Sequence, residues 1–373
     1  MKHINIFLLS VFVAFASCSF TTKTFDDPDK DKLLMQLVTY LLEEGHFQPK
    51  DFNDSFSEDV YNRFLKTIDP YKQYFYKSDV KEFETFKTLL DDQIKNYDLS
   101  FFNLVHNRLT QRIEESKAVY TDVLGRPFNY DLDEVYQSDA ENLEYVSSKK
   151  EMSNRWRKQL KFSTLTDYHD MLSDADNDNK SNAEIDEEAR KSTLKSLEEV
   201  SVYFDDMRRD DWLAMYINAI SESFDPHTYY FAPQFKDRFD AEMSGKYEGI
   251  GARLQKKMDK ISITELISGG SAWRQNKLQV GDVILKVRQE DEDEAVSIVG
   301  MRLDDAVKLI KGPKGTNVIL TLKRVDGTIE DLSIPRDEIE LEETYAKSSI
   351  CSQRCSQHVR SRSDERVPED DPA

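Results

Sequence analysis

A change of hydrophobic period near Lys246 constrains this chain more than any other feature. Before it, apolar residues recur every three or four positions; after it they alternate, among more glycine and β-branched residues. A period near 3.6 buries one face of a helix, and a period of two buries one face of a strand. The patterns need separate cores, so an all-α domain is expected over residues 18–245 and a small β-rich domain over 246–336. The expected class is multidomain α+β. With 21 Phe and 17 Tyr among 373 residues, most of the chain should fold around real cores.

In the first part, Leu33, Leu34, Leu37, Val38, Leu41 and Leu42 share a face, and Gly45 supplies a stop. One helix is expected from Ser78 through Val80, Phe83, Phe86, Leu90, Ile94 and Tyr97. Another is capped at Asp98 or Ser100 and ended by Gly125 and Pro127. Further helices fit Lys149–Asp170, Asp186–Met207 and Asp210–Phe224, with a polar loop over Ser173–Asn182. In the second part, Ile261–Thr264, Val283–Val287, Val318–Leu322 and Ile329–Ile334 read as strands. Asp326-Gly327 is the turn of a hairpin. Leu303, Ala306, Val307 and Ile310 form the apolar face of a single helix.

Both ends have their own signatures. Lys2 and His3 precede an apolar run, Ile4–Ala16, which is too short for the ~18 residues of a membrane span and suits a signal peptide over 1–17. Cleavage after Ala14-Phe15-Ala16 would release a simple periplasmic protein. Phe15-Ala16-Ser17-Cys18 resembles a lipobox, although Leu is usual where Phe15 stands. The lipoprotein reading is favoured, with lipidation at Cys18, because a lone Cys after such a run has little other use in an exported chain. It would be the only link to a membrane. At the other end, residues 351–373 hold no Leu, Ile, Phe, Tyr, Trp or Met. Lys and Arg number 31 and 16 up to Ile350 and 0 and 4 after it. A disordered, out-of-frame tail is expected there. The net charge of -20 would repel a phosphate backbone, so nucleic acid is excluded as a partner.

Several motifs invite chemistry. Asp174, Asp176 and Asp178 suggest a calcium loop, but Asn179 and Ile185 stand where Gly and a closing Glu are needed, so a solvated acidic loop is expected. Ser221, Ser223, Asp225 and His227 are the residue types of a hydrolase triad, yet they crowd one helix end, whereas triad members converge from separate elements. Asp69-Pro70-x-x-x-Tyr74-Phe75 is echoed by Asp225-Pro226-x-x-x-Tyr230-Phe231, and a structural use is expected of both. No cofactor and no metal are expected.

Glu248-Gly249-Ile250-Gly251-Ala252 precedes a strand containing Leu254. It lacks the third glycine and the following helix of a dinucleotide site, and could be a plain β-turn. In a β-module with one amphipathic helix, its N–H groups could instead cradle a terminal carboxylate. An extended peptide would then add to the strand, its side chain lying between strand and helix, as in PDZ domains. The expected peptide-binding residues are Gly249, Ile250, Gly251, Ala252 and Leu254, with Leu303, Ala306, Val307 and Ile310 on the facing helix; for the helix residues the alternative is core packing. Gly270-Ser271-Ala272-Trp273 and Leu278–Ile284 resemble PDZ domains of exported bacterial proteases.

SFDPHTYYFAPQFKDRFDAEMSGKYEGIGARLQ (Ser223–Gln255) and FLKTIDPYKQYFYKSDVKEF (Phe64–Phe83) are similar to hallmarks of the tail-specific, or carboxy-terminal processing, proteases. The resemblance runs from Leu33 to Ile350. It implies a helical N-terminal domain, a PDZ domain and a serine protease domain with a Ser–Lys dyad, acting on periplasmic proteins with apolar C-termini, sometimes with a lipoprotein adaptor. It stops at Ile350, the end of residues 337–350, which are the expected entrance to the protease domain. The dyad would lie beyond, and Lys347, Ser348 and Ser349 do not replace it, so no catalytic residue is assigned. The expected function is that of a truncated tail-specific protease keeping C-terminal recognition. The alternative is a stand-alone periplasmic PDZ adaptor or scaffold.

Overall fold

The computed structural model describes residues 28–174 and 179–340. Cys18, Asp176, Asp178, Lys347, Ser348, Ser349 and the 351–373 segment lie outside the described residues. Two compact units divide between Lys236 and Asp237.

The first unit is helical: α1 (Pro28–Tyr40), α2 (Asp54–Ile68), α3 (Lys77–Phe83), α4 (Leu90–Lys95), α5 (Ser100–Leu124), α6 (Lys149–Leu172), α7 (Asn182–Asp206) and α8 (Arg209–Phe224). A ninth, α9 (Pro233–Ser244), spans the division. α1 widens into a π-turn, Leu41–Gly45, before it stops. The core is aromatic. Phe64 meets Tyr216 edge-on at 5.1 Å and Phe56 meets Phe224 at 5.2 Å, which joins α2 to α8, and Phe52, just before α2, also meets Phe224 at 5.2 Å. α6 and α7 pair along their length, and a buried hydroxyl bond of 3.0 Å links Thr164 to Thr193.

The helix expected from Ser78 to Tyr97 is broken into α3, a 3-10 turn at Glu84–Phe86, and α4. The reason is tertiary. Ser57, buried on α2, accepts the Asp91 N–H at 2.7 Å and donates to Asp91 Oδ1 at 3.0 Å. It thereby caps the start of α4 from another helix, in the way a local N-cap would. α2 itself, capped by Asn53 on Phe56 N–H, is additional to the helices named from periodicity.

The second unit contains β1 (Lys246–Gly249), β2 (Ala252–Lys257), β3 (Lys260–Leu266), α10 (Ser271–Gln275), β4 (Val283–Gln289), β5 (Val296–Ser297), α11 (Leu303–Ile310), β6 (Asn317–Lys323), β7 (Ile329–Pro335) and β8 (Asp337–Glu340). The antiparallel order is β2-β3-β4-β6-β7, with β5 also on β4; β1 and β8 form a separate pair. Ile261, Ile263, Ile284, Val287, Val318, Leu320, Leu322 and Ile334 alternate into one core that α11 covers with Ala306 and Ile310. Gly327, at φ +90°, makes the expected turn between β6 and β7. β8 pairs with β1 inside this unit, so ordered sheet continues past residue 336, where the small domain was expected to end.

Candidate peptide-binding groove

Among the described residues β2 lies at the end of its sheet, hydrogen-bonded only to β3, and α11 packs beside it. Ala252, Leu254 and Lys256 are half-buried while Arg253, Gln255 and Lys257 are exposed, so one row of β2 side chains faces inward. Arg253 points out and pairs with its register partner Glu265 at 3.3 Å. The register slips opposite Arg253 and Leu254, where Thr264 of β3 is the extra residue of a β-bulge that twists the pair near the loop.

The loop between β1 and β2 is fixed by its carbonyls. Ile250 O accepts Ala272 N–H at 2.9 Å and the Ser271 hydroxyl at 3.3 Å, and Gly251 O accepts Ile267 N–H at 2.9 Å. Among the described residues no acceptor meets the N–H of Ile250 or Gly251. The loop therefore presents donors and has used its acceptors, which is the polarity that a carboxylate requires. Gly251 sits at φ +77°, and a Cβ there would lie 2.9 Å from Gly270 Cα and 3.2 Å from Ile339 Cδ1. Its freedom is needed for the backbone angle and for contact with Gly270.

The expected residues come together but divide by role. Gly249 ends β1, paired with Asp337. Ile250, Ala306 and Ile310 are 3%, 0% and 3% exposed, so their side chains belong to the core and only backbone groups or a thin rim remain for a ligand. Leu303, Ala252 and Leu254 are half-buried at the core edge. Val307 is half-buried and outside the core cluster, the α11 side chain best placed to meet a ligand. Periodicity missed the supports: Ser271 and Gly270 behind the loop, Tyr247, and Lys311 after α11. Lys311 Nζ lies 5.5 Å from the Tyr247 ring centre, and burial pushes that phenol up to about 12. The doubled glycine at 269–270 was a readable signal; the tertiary contacts of Tyr247 and Lys311 were not.

The other motifs assemble no chemistry among the described residues. Ser221 and Ser223 are buried and donate back to the Asn218 and Ala219 carbonyls, while His227 is exposed. The two Asp-Pro motifs both build turns, by different bonds. Buried Asp69 accepts the N–H groups of Gln73, Tyr74 and Phe75 at 2.8, 3.3 and 3.0 Å. Asp225 accepts His227 N–H at 3.0 Å, and Tyr230 is held instead by Asn218.

A family model described as the tail specific protease N-terminal domain matches residues 38–234, and one described as the PDZ domain matches residues 239–323. The chain belongs to the tail-specific protease family. The tail-specific protease of Haemophilus influenzae is 28% identical over 321 residues, which are 86% of this chain and 44% of that protein. The carboxy-terminal processing protease CtpA of Bacillus subtilis is 37% identical over 123 residues, 33% of this chain and 25% of the relative. The chain thus spans less than half the length of these tail-specific protease relatives. A solved PDZ domain of a carboxy-terminal protease from Vibrio cholerae, in complex with peptide, is 45% identical, covering 26% of this chain and 99% of that one at a TM-score of 0.25.

Proposed function

We propose that this member of the tail-specific protease family recognises proteins by their free C-termini in the groove between β2 and α11. The observation that carries this reading is the coincidence, among the described residues, of an open strand edge with a loop whose Ile250 and Gly251 N–H groups meet no acceptor. An extended peptide adds to β2 by main-chain bonds, its carboxylate on the loop and its apolar end residue between Leu254, Leu303 and Val307. By kinship, the activity served is serine-type hydrolysis of exported proteins with apolar C-termini, through residues not assigned in this chain. The Lys2–Cys18 segment supports export to the periplasm or cell envelope, with lipidation at Cys18; an adaptor lipoprotein as a partner is suggested by the family resemblance alone. Hydrogen exchange tests the groove. An apolar-ended peptide in excess is expected to slow exchange over residues 250–257 and leave β6 and β7 unchanged. Equal rates with and without peptide would refute it.

A further inference from the structure

Arg336 stands between β7 and β8, 4% exposed. Its guanidinium meets only neutral acceptors. Nε donates to the Ile310 carbonyl at 2.8 Å, Nη2 to the Leu309 carbonyl at 3.0 Å and to Gln289 Oε1 at 2.6 Å, and Nη1 to Thr316 Oγ1 at 3.0 Å and the Asn317 carbonyl at 3.3 Å. Among the described residues no carboxylate is within ion-pair reach of it. A buried cation without a counter-charge is costly unless dipoles surround it. Here the Leu309 and Ile310 carbonyls belong to the last turn of α11, where the helix dipole is negative, so Arg336 is that helix's C-terminal cap. The fit is close: a Cβ on Gly312 would lie 2.9 Å from the Arg336 Cζ.

The same segment reaches the opposite wall of the groove. Asp337, the next residue, pairs with Gly249 at the start of the loop. Its carboxylate holds Arg274 of α10 at 2.5 Å and Lys314 at 3.0 Å, and the N-terminal residues of α10 hold the Ile250 carbonyl. One side chain and one adjoining backbone pair therefore join the end of α11 to the loop. Those two parts bound the space for a terminal side chain, and packed interiors do not absorb displacements of a methyl group freely.

We propose that Arg336 is a positioning residue that fixes the gap between α11 and the Glu248–Ala252 loop, and thereby the size of terminal side chain the groove accepts. The proposal rests on the peptide-groove reading above. Lys at this position keeps the charge, but one ammonium with three donors cannot span five acceptors.

The test uses the full chain with Arg336→Lys and, independently, Gly312→Ala, which crowds the guanidinium without removing it. Each is titrated by calorimetry with free-acid peptides differing only in a final Ala, Val or Phe, and with the Val peptide amidated. The wild type is expected to favour Ala or Val over Phe by about tenfold or more, and both variants to narrow that to about threefold or less. Preference for acid over amide stays unchanged, a result that general loosening of the loop would not give. Unaltered size selectivity in a folded variant overturns the proposal, as does an equal loss for every peptide and the amide. If Arg336→Lys does not fold, Gly312→Ala decides. A wild type that binds no peptide refutes the groove itself, an outcome distinct from intact selectivity in the variants.

Discussion

Asp69 shows what a single residue does in the helical unit. Its neighbourhood was legible as a turn, because Asp-Pro disfavours helix before it, but its burial was not. Burial pushes the carboxyl up to about 6, against the opposing pull of N–H bonds from Phe75, Gln73 and Tyr74. The folded state then holds the proton more tightly than the unfolded chain, so this group's contribution is full at low pH and is lost as pH rises through about 6. Relative to Asp69→Asn, which does not titrate, the wild type should gain up to about 3 kcal/mol between pH 7 and pH 4. Urea melts across that range check this, and a constant difference would contradict it. Gly251 is the corresponding residue in the small unit. Its place in a loop was readable from the G-x-G spacing, whereas its contact with Gly270, a residue distant in sequence, was not. Gly251→Val forces φ +77° on a β-branched residue, at a cost of about 1–3 kcal/mol before any clash. Melting should fall and peptide binding should be lost; a variant that binds as the wild type does would show that the loop geometry is irrelevant.

At the scale of elements, hydrophobic period located most helices and the β6–β7 hairpin, because each buries one face against its own core. It could not see the α3–α4 break, since Ser57 caps α4 from another helix. Nor could it tell that β2 is an edge strand, because strand order is set by pairing partners far along the chain. α11 mixes both kinds of information. Its apolar positions were read correctly, but only tertiary packing separates Ala306 and Ile310, inside the core, from Val307, outside it. That separation predicts opposite phenotypes. Val307→Asp should weaken apolar-ended peptides more than tenfold while changing stability by about 0.5 kcal/mol. Ala306→Leu should overpack the core and cost about 1–3 kcal/mol. Paired melts and titrations check both, and the reverse pattern would place Val307 in the core.

For the whole molecule, the long Ser223–Gln255 and Phe64–Phe83 segments carried the family resemblance, and the matches over 38–234 and 239–323 show it. The proposed peptide site was legible to the extent that it resides in the backbone. A glycine loop followed by an alternating strand and an amphipathic helix reads as a peptide site, while a support such as Arg336 meets α11 only through a tertiary contact that no local pattern signals. The central claim is that the loop grips a carboxylate. The most direct measurement titrates the full chain with two peptides of identical apolar-ended sequence, one a free acid and one a C-terminal amide, followed by calorimetry and by the fluorescence of half-exposed Trp273. The amide brings donors to the Ile250 and Gly251 donors and leaves N–H groups unpaired, at about 1–3 kcal/mol. Binding of the free acid at least about fivefold tighter than the amide is the predicted result. Equal affinities would contradict the account and leave Gly249 and Gly251 as turn residues.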